Sequence, residues 1–167
     1  TGMRGLVMNT RKEIFSNWRV RQALIEAFNF EYINEAQNAG RQQRITSYFS
    51  NSILGMREGA AKNSVLELLQ NSNQIQLPGT YEGYKLPRSN GSERNRANMK
   101  KALKSFNDVG FKVVEGKLQD NQGRQFKFSI LLRQGAKEYL SIVEMYSSAL
   151  QRLGIDVRIE LVDSSQY

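Results

Sequence analysis

The sequence predicts a mixed α/β (α+β) domain, in which a small mixed sheet is covered by helices. Two patterns indicate this class. Apolar residues recur at helical spacing in several segments, and apolar or alternating runs typical of strands lie between those segments. In chain order the segments predict strand, helices, strand, strand, helix and strand, a βαββαβ-like order. Since 167 residues can bury a real core, we expect a single domain over 1–167.

The first third of the chain predicts one strand and two helices. Residues 3–9 are rich in Leu, Val and Met and are expected to form a buried strand. Ser16 or Asn17 is a candidate N-cap for a helix that runs to about residue 29. A second helix is expected over 31–39, with a glycine just after it.

The middle of the chain predicts little regular structure. Residues 41–61 mix aromatic residues with Ser, Thr and Asn, which suits an ordered loop. A short helix is expected at 62–71, where four apolar residues lie close together. Residues 71–91 hold both prolines and predict a long surface connection.

The last part of the chain predicts helices and strands in alternation. A helix capped by Ser92 and closed by Gly110 is followed by a strand over 111–118 and a hairpin turn over 120–123. The next predicted elements are a strand containing Phe126, Phe128 and Ile130, a helix over 136–153, and a half-buried strand over 155–162. Any parallel strands in this region are expected to be joined by right-handed crossovers.

Composition narrows the chemistry that the chain can perform. Cysteine and histidine are both absent, so the chain has no thiolate metal ligand, cysteine nucleophile or imidazole base. No GxGxxG or GxxxxGK[ST] loop is present to cradle a phosphate. We therefore expect no enzyme, catalytic residue, cofactor or metal site. No apolar run approaches the roughly 20 residues that span a bilayer, and the residues from Thr1 onward lack a signal-peptide pattern.

The net charge of +8 admits an anionic partner such as nucleic acid. Because the basic residues are spread along the chain, a basic, soluble surface, or one half of a protein whose other half balances the charge, is the favoured explanation. An RNA-recognition motif shares the βαββαβ order and carries base-stacking aromatic residues on its third strand. The corresponding strand here has Phe126 and Phe128 but lacks the glycine pair of that motif. Alternating aromatic residues of this kind are more often core side chains. An RNA-binding domain of RRM-like topology is therefore the alternative hypothesis for the function of the chain.

Four stretches, in order along almost the whole chain, match the pattern of one known family. Residues 9–24 contain Asn-Thr-Arg-Lys and Trp-Arg-Val-Arg-Gln-Ala-Leu, residues 46–54 read Thr-Ser-Tyr-Phe-Ser-Asn-Ser-Ile-Leu, and the other two stretches are residues 94–111 and 150–167. Together they resemble the bacterial extracytoplasmic solute-binding proteins of family 5, the peptide-binding subunits of ABC importers. The first stretch resembles the segment that starts the second lobe of these proteins, and the second resembles the Yej-type subgroup, which imports oligopeptides.

The chain departs from the family pattern in one loop. Family members often have Pro-Pro where this chain has Glu13-Ile14, so the loop is less rigid than usual. In the family the lobe continues past the position of Tyr167, so the ligand-gripping residues beyond that position are not assigned. Within residues 9–24, Arg19 and Arg21 beside Trp18 are expected to brace the start of the helix.

The resemblance implies that the chain is a fragment, the second lobe of a two-lobed type II periplasmic binding protein. It implies a periplasmic, monomeric, non-enzymatic protein that binds an oligopeptide, delivers it to the membrane permease of an ABC importer and binds no nucleic acid. The lobes of such proteins close around the ligand by a hinge motion. The residues expected to face the peptide cleft are Asn9, Arg11, Arg44, Thr46, Ser47, Tyr48 and Phe49. The aromatic pair would supply apolar contact, Asn9, Thr46 and Ser47 would bond the peptide backbone, and Arg11 or Arg44 would meet a carboxylate.

Overall fold

The computed structural model describes residues 4–50 and 52–163. Within these residues the chain divides into two compact units. The larger unit comprises residues 7–42 and 87–163, and the smaller unit comprises residues 4–6 and 43–86. The expectation of a single domain over 1–167 stays a prediction.

Among the described residues, the larger unit contains five helices and four strands, and the smaller unit contains one helix. The helices are α1 (Glu13–Ser16), α2 (Trp18–Ala27), α3 (Phe30–Asn38), α4 (Asn63–Gln70), α5 (Arg96–Asn107) and α6 (Lys137–Arg152). The strands are β1 (Lys112–Val114), β2 (Lys117–Gln119), β3 (Lys127–Arg133) and β4 (Asp156–Val162). The mixed α/β class predicted from the sequence is confirmed.

The prediction of a buried strand at residues 3–9 is wrong for the residues that the structure describes, 4–9. None of these residues is in a strand, and the side chains of Leu6 and Val7 are 41% and 95% exposed. A strand needs a neighbouring strand to pair its backbone groups. None of the four strands described above pairs with residues 4–9, so this apolar segment has no such neighbour.

Helix α2 begins at the predicted cap. The Oδ1 atom of Asn17 accepts a hydrogen bond from the backbone N–H of Arg19 at 2.9 Å, which satisfies one of the unpaired donors of the first turn. The apolar face of α2, including Val20 and Leu24, is buried against α5 and α6. This face follows the helical spacing seen in the sequence.

The N-cap of helix α5 lies three residues after the predicted cap, Ser92. Its N-cap is Asn95, with a φ of 43°, and Ser92 lies in the preceding turn, where its carbonyl oxygen accepts a hydrogen bond from Asn29 Nδ2 at 2.7 Å. Asn95 Nδ2 in turn donates to the Glu26 carbonyl oxygen at 3.3 Å. These two hydrogen bonds tie the turn before α5 to Glu26 and Asn29, at and just after the end of α2. They fix where α5 begins, and the spacing of residues in the sequence does not reveal them.

The strands form two small sheets. Strands β1 and β2 make an antiparallel hairpin, turned at Glu115 and Gly116, which both have positive φ. Strands β3 and β4 are parallel, with Phe128 opposite Val157 and Ile130 opposite Ile159. Helix α6 connects them and packs on both, which makes a βαβ unit. The predicted turn at 120–123 is present. The single strand predicted over 111–118 is instead divided by the turn between β1 and β2.

The core of the larger unit is built around a chain of aromatic rings. Edge-to-face contacts, with ring centroids 5.2 to 6.0 Å apart, link Phe15, Phe106, Phe111, Phe126 and Phe128. The Phe126 side chain is only 3% exposed and Phe128 is half-buried. These are the two rings that an RNA-recognition motif would present to bases. Both pack in the core instead, as expected for alternating aromatic residues on a strand.

The smaller unit is organised differently. Helix α4 confirms the short helix predicted at 62–71, but none of its residues is buried. The unit is held by local hydrogen bonds, including one from the Ala61 N–H to the Tyr81 carbonyl oxygen at 2.7 Å and one from Tyr81 Oη to the Leu69 carbonyl oxygen at 3.4 Å. None of its described residues, 4–6, 43–50 and 52–86, has a buried side chain.

Candidate functional site

The candidate loop of the smaller unit is a series of turns held by serine side chains. The Ser50 hydroxyl donates to the Ser47 carbonyl oxygen at 2.8 Å and accepts from the Ser47 N–H at 3.0 Å. The Ser47 hydroxyl accepts from the Met56 N–H at 3.1 Å, and the Ser52 hydroxyl donates to the Phe49 carbonyl oxygen at 2.8 Å. Such side-chain bonds to nearby backbone fix a loop without helix or strand.

The loop presents two aromatic rings to solvent. The rings of Tyr48 and Phe49 meet edge to face, with centroids 5.1 Å apart and planes at 77°. Their side chains are 77% and 52% exposed, although apolar rings of this size are normally covered. An exposed, mutually braced aromatic pair can pack against the apolar parts of a ligand and can hydrogen-bond through the Tyr48 hydroxyl.

The other predicted residues of this loop flank the aromatic pair in sequence. Arg44 is half-buried, and Thr46 is exposed. Ser47, predicted to bond a peptide backbone, already uses its N–H and its carbonyl oxygen, and its hydroxyl oxygen accepts a bond from the far side of the loop. Its contacts within the loop are therefore structural, and a bond to a ligand stays a prediction.

The other two predicted residues belong to the larger unit, in the turn before α1. The Oδ1 atom of Asn9 accepts from the Arg11 N–H at 3.2 Å, and the Asn9 carbonyl oxygen accepts from the Lys12 N–H at 3.0 Å. The Asn9 side chain thus closes its own turn. Both Asn9 and Arg11 are exposed. Each of the two units therefore brings its own candidate residues together locally, two in the turn and five in the loop.

The arginines that carry the family resemblance have scaffold roles. Arg21 Nη1 donates to the carbonyl oxygens of Phe15 and Ser16, both at 2.7 Å. The guanidinium of Arg19 lies 4.7 Å from the centroid of the Trp18 ring, within the range of a cation–π contact. The prediction that these arginines brace the helix start is confirmed.

The larger unit contains a cavity of about 280 Å³ that was not predicted from the sequence. Its lining comes from α3, α6 and the turn before α5, and consists of Asn29, Tyr32, Ile33, Glu93, Glu144, Met145, Tyr146, Ser148, Ala149 and Arg152. The Tyr146 hydroxyl donates to the Leu24 carbonyl oxygen at 2.8 Å, and burial raises the pKa of Tyr146. The lining residues come from three separate segments of the sequence, so no local sequence pattern predicts this cavity.

The described part of the chain offers no metal site and no membrane span. Among residues 4–50 and 52–163, no group of three or more acidic, Cys or His side chains could hold a metal ion. No described helix is long and apolar enough to cross a membrane.

Comparison with known proteins identifies the family. A family model described as bacterial extracellular solute-binding proteins, family 5 Middle, matches residues 1–167. The chain belongs to this family. This membership confirms the resemblance seen in the sequence, and the description of the family names solute binding.

Relatives within family 5 carry names that concern peptides and peptidoglycan. The chain is 34% identical over 171 residues to the peptidoglycan-binding protein YepA of Agrobacterium fabrum, a match that covers 100% of the chain and 27% of the relative. It is 30% identical over 167 residues to the probable peptide-binding protein YejA of the same organism, covering 99% of the chain and 27% of the relative. The chain thus spans about a quarter of the length of these relatives.

A solved structure supports the fold. The oligopeptide-binding protein AppA of Bacillus subtilis, in complex with a nonapeptide, is similar to the chain with a TM-score of 0.60 and 24% identity. The similarity covers 95% of the chain and 26% of AppA. The chain therefore has the fold of a segment of a type II periplasmic binding protein, as predicted.

Proposed function

We propose that the chain is a second-lobe fragment of the periplasmic substrate-binding subunit of an oligopeptide ABC importer, and that it forms one wall of the peptide cleft. The observation that carries this proposal is the exposed pair of rings, Tyr48 and Phe49, on a loop fixed by its own serine side chains. Ligand sites combine apolar contact with a few oriented polar groups. A preformed loop binds without the entropic cost of ordering itself.

Each predicted residue has a role in this proposal. Tyr48 and Phe49 supply apolar contact, Thr46 and Ser47 offer hydrogen bonds to a peptide backbone, and Arg44 offers positive charge to a carboxylate. In the turn before α1, Asn9 offers a hydrogen bond to a peptide backbone and Arg11 offers positive charge to a carboxylate. Backbone-directed bonds tolerate many side chains, which suits an importer of mixed peptides. The full-length protein would work as a monomer with the membrane permease as its partner.

The names of the relatives define which peptides to test. One relative is named a peptidoglycan-binding protein and another a probable peptide-binding protein, and both names fit a short peptide ligand. The ligand panel therefore contains ordinary oligopeptides and the stem peptides of peptidoglycan. The two classes share a peptide backbone, which the loop can bind, and calorimetry separates them by affinity.

The test is peptide binding by the full-length polypeptide that carries these residues. Tyr48→Ala and Phe49→Ala are each expected to weaken peptide binding about tenfold, the equivalent of about 1.4 kcal/mol. Val113→Ala is the control, because Val113 is also an exposed apolar residue, at 48% exposure, but lies in the β1–β2 hairpin. Unchanged affinity in both aromatic variants would remove the loop from the site.

A further inference from the structure

The cavity between α3, α6 and the turn before α5 combines a buried base with a charged rim. The side chains at its base are 4% to 6% exposed and are those of Ile33, Tyr146 and Ala149. The charged side chains of its rim are exposed and are those of Glu93, Glu144 and Arg152. The cavity volume of about 280 Å³ lies just below the range of about 300–1,000 Å³ that is usual for ligand pockets. The cavity therefore suits a small molecule that has an apolar part and charged groups.

The walls of the cavity are held in place by hydrogen bonds between the elements that form them. The Gln37 side chain of α3 accepts a hydrogen bond from Ser141 Oγ at 2.8 Å and donates one to Met145 Sδ at 3.5 Å, both on α6. At the other wall, Asn29 Nδ2 donates to the Ser92 carbonyl oxygen in the turn before α5. A ligand can therefore bind without first ordering the site.

The charged groups of the rim are not paired with one another. Arg152 Nη1 donates to Ser148 Oγ at 3.2 Å and Arg152 Nη2 to the Glu93 carbonyl oxygen at 3.3 Å, and both acceptors are neutral. Among the residues that the structure describes, no ion pair joins Arg152, Glu93 or Glu144 to another side chain. A guanidinium has five N–H donors and can bind a carboxylate with two of them at once. Within the described part of the chain, the cavity thus offers charges of both signs that are uncompensated.

Helix α6 brings charges of opposite sign to one side of the cavity. Glu144, Ser148 and Arg152 follow one another at intervals of four residues and therefore lie on the same face of the helix. The bond from Arg152 to Ser148 turns the guanidinium back toward the preceding turn, on the side of Glu144. A molecule that carries both an ammonium and a carboxylate can then contact both groups at once.

The position of the cavity separates it from the edge of the sheet at which α/β proteins usually bind their ligands. In such sheets, ligands bind beyond the carboxyl ends of the strands. Helix α6 starts after the carboxyl end of β3 and leads to the amino end of β4, so its second half lies toward the amino ends of these parallel strands. Residues 144–152, which line the cavity, belong to that second half. The cavity is therefore separate from a site at the carboxyl ends.

We propose that this cavity is a second ligand site, which binds a small zwitterion, an amino acid with an apolar side chain. The ligand carboxylate binds the Arg152 guanidinium, and the ligand ammonium binds the Glu144 carboxylate. The ligand side chain packs on Ile33 and Tyr146. A ligand with only one of the two charges leaves either Arg152 or Glu144 without a partner. The proposal uses none of the residues assigned to the peptide cleft and does not rest on the proposed function.

Calorimetry on the full-length polypeptide with three related probes tests the proposal. The probes are L-leucine, isoamylamine, which is leucine without its carboxylate, and isocaproate, which is leucine without its ammonium. L-leucine is expected to bind with a Kd of about 1 mM or tighter. Each of the other two probes is expected to bind at least about tenfold more weakly, because one ionic contact is missing. No binding of L-leucine would overturn the proposal. Equal affinity for isoamylamine would mark a site for organic cations, and equal affinity for isocaproate a site for anions; either result would also overturn it.

A pair of matched substitutions locates the ammonium. Glu144→Gln is expected to lower the affinity for L-leucine about tenfold, because the ligand ammonium loses its ionic partner. Glu35→Gln is the control, since Glu35 is also an exposed carboxylate on a helix of the larger unit but does not line the cavity. It is expected to leave the affinity unchanged. Equal effects of the two variants would contradict the assignment.

A third variant locates the carboxylate. In Arg152→Gln, the advantage of L-leucine over isoamylamine is expected to disappear, since the carboxylate that distinguishes the two probes no longer has a cationic partner. This comparison of probes within one variant does not depend on any change in stability that the substitution causes. A retained advantage would contradict the role of Arg152.

The same measurements separate this site from the proposed peptide cleft. A loss of L-leucine binding in Phe49→Ala, with no loss in Glu144→Gln, would place the amino acid at the loop of the smaller unit and overturn the inference. A full-length polypeptide that binds L-leucine as described but binds no peptide would refute the proposed function and leave the inference intact.

Discussion

The close contact between Gly154 and the β1–β2 hairpin makes a sharp prediction about stability. Gly154 lies between α6 and β4 with a φ of +84°. A Cβ atom added there would lie 2.5 Å from the Leu118 nitrogen and 2.7 Å from the Gly116 oxygen, both backbone atoms. The Gly154 carbonyl oxygen also accepts from the Leu118 N–H at 2.9 Å. Gly154→Ala must therefore displace the hairpin.

The cost can be built from its parts. The left-handed conformation costs an alanine about 1 kcal/mol relative to glycine. Loss of the hydrogen bond from Leu118 adds about 1 kcal/mol, and shifting the fully buried Leu118 side chain adds about 1–2 kcal/mol. The sum is about 3–4 kcal/mol, a large part of the stability of a small domain.

A second glycine isolates the steric part of this cost. Gly123 has a similar φ of +77°, and a Cβ atom added there would have nothing within 4 Å. Gly123→Ala is therefore expected to cost only the conformational part, about 1 kcal/mol. Urea unfolding of both variants, followed by circular dichroism, measures the difference. Equal losses, within about 0.5 kcal/mol, would refute the reasoning.

Three other predictions concern single contacts in the larger unit. Asp120 accepts hydrogen bonds from the Arg124 backbone and side chain, which lower its pKa from 3.8. The contribution of the Asp120 carboxylate to stability is therefore present above pH 4 and lost as the pH falls through the lowered pKa. The urea midpoints of wild type and Asp120→Asn should converge in acid, and a constant gap between them would contradict this. Tyr146→Phe removes the bond to the Leu24 carbonyl oxygen and should cost about 1–2 kcal/mol in urea unfolding; no loss would mean that the bond is not formed. Arg21→Met removes two bonds to backbone oxygens and should lower stability by about 1–2 kcal/mol without changing peptide affinity, since the role of Arg21 is structural.

The sequence predicted those elements whose apolar pattern is closed by local signals. Helix α6 was expected at 136–153 and lies at Lys137–Arg152, and strand β4 was expected at 155–162 and lies at Asp156–Val162. The turn at Gly154, which the sequence shows, ends the helix and precedes the strand. The prediction for residues 3–9 was wrong because an apolar run does not reveal whether a partner strand is present.

Other features depend on contacts that no local pattern encodes. The start of α5 is placed by bonds from Asn29 and Asn95, and the turn at Glu115 and Gly116 divides what looked like one strand. In the candidate site, the sequence singled out the loop around Tyr48 from family resemblance. It missed the role of Ser50, whose hydroxyl holds the loop, because serine-to-backbone bonds become visible only with coordinates.

The most direct test of the central claim compares peptide binding by the full-length polypeptide with binding by the 167-residue chain alone. If the chain supplies one wall of a two-sided cleft, calorimetry with the peptide panel should show micromolar or tighter binding to the full-length polypeptide. The chain alone should bind at least about 100-fold more weakly, a loss of about 2.7 kcal/mol, because half of the contacts are missing. Binding of micromolar strength or tighter by the chain alone would contradict the account.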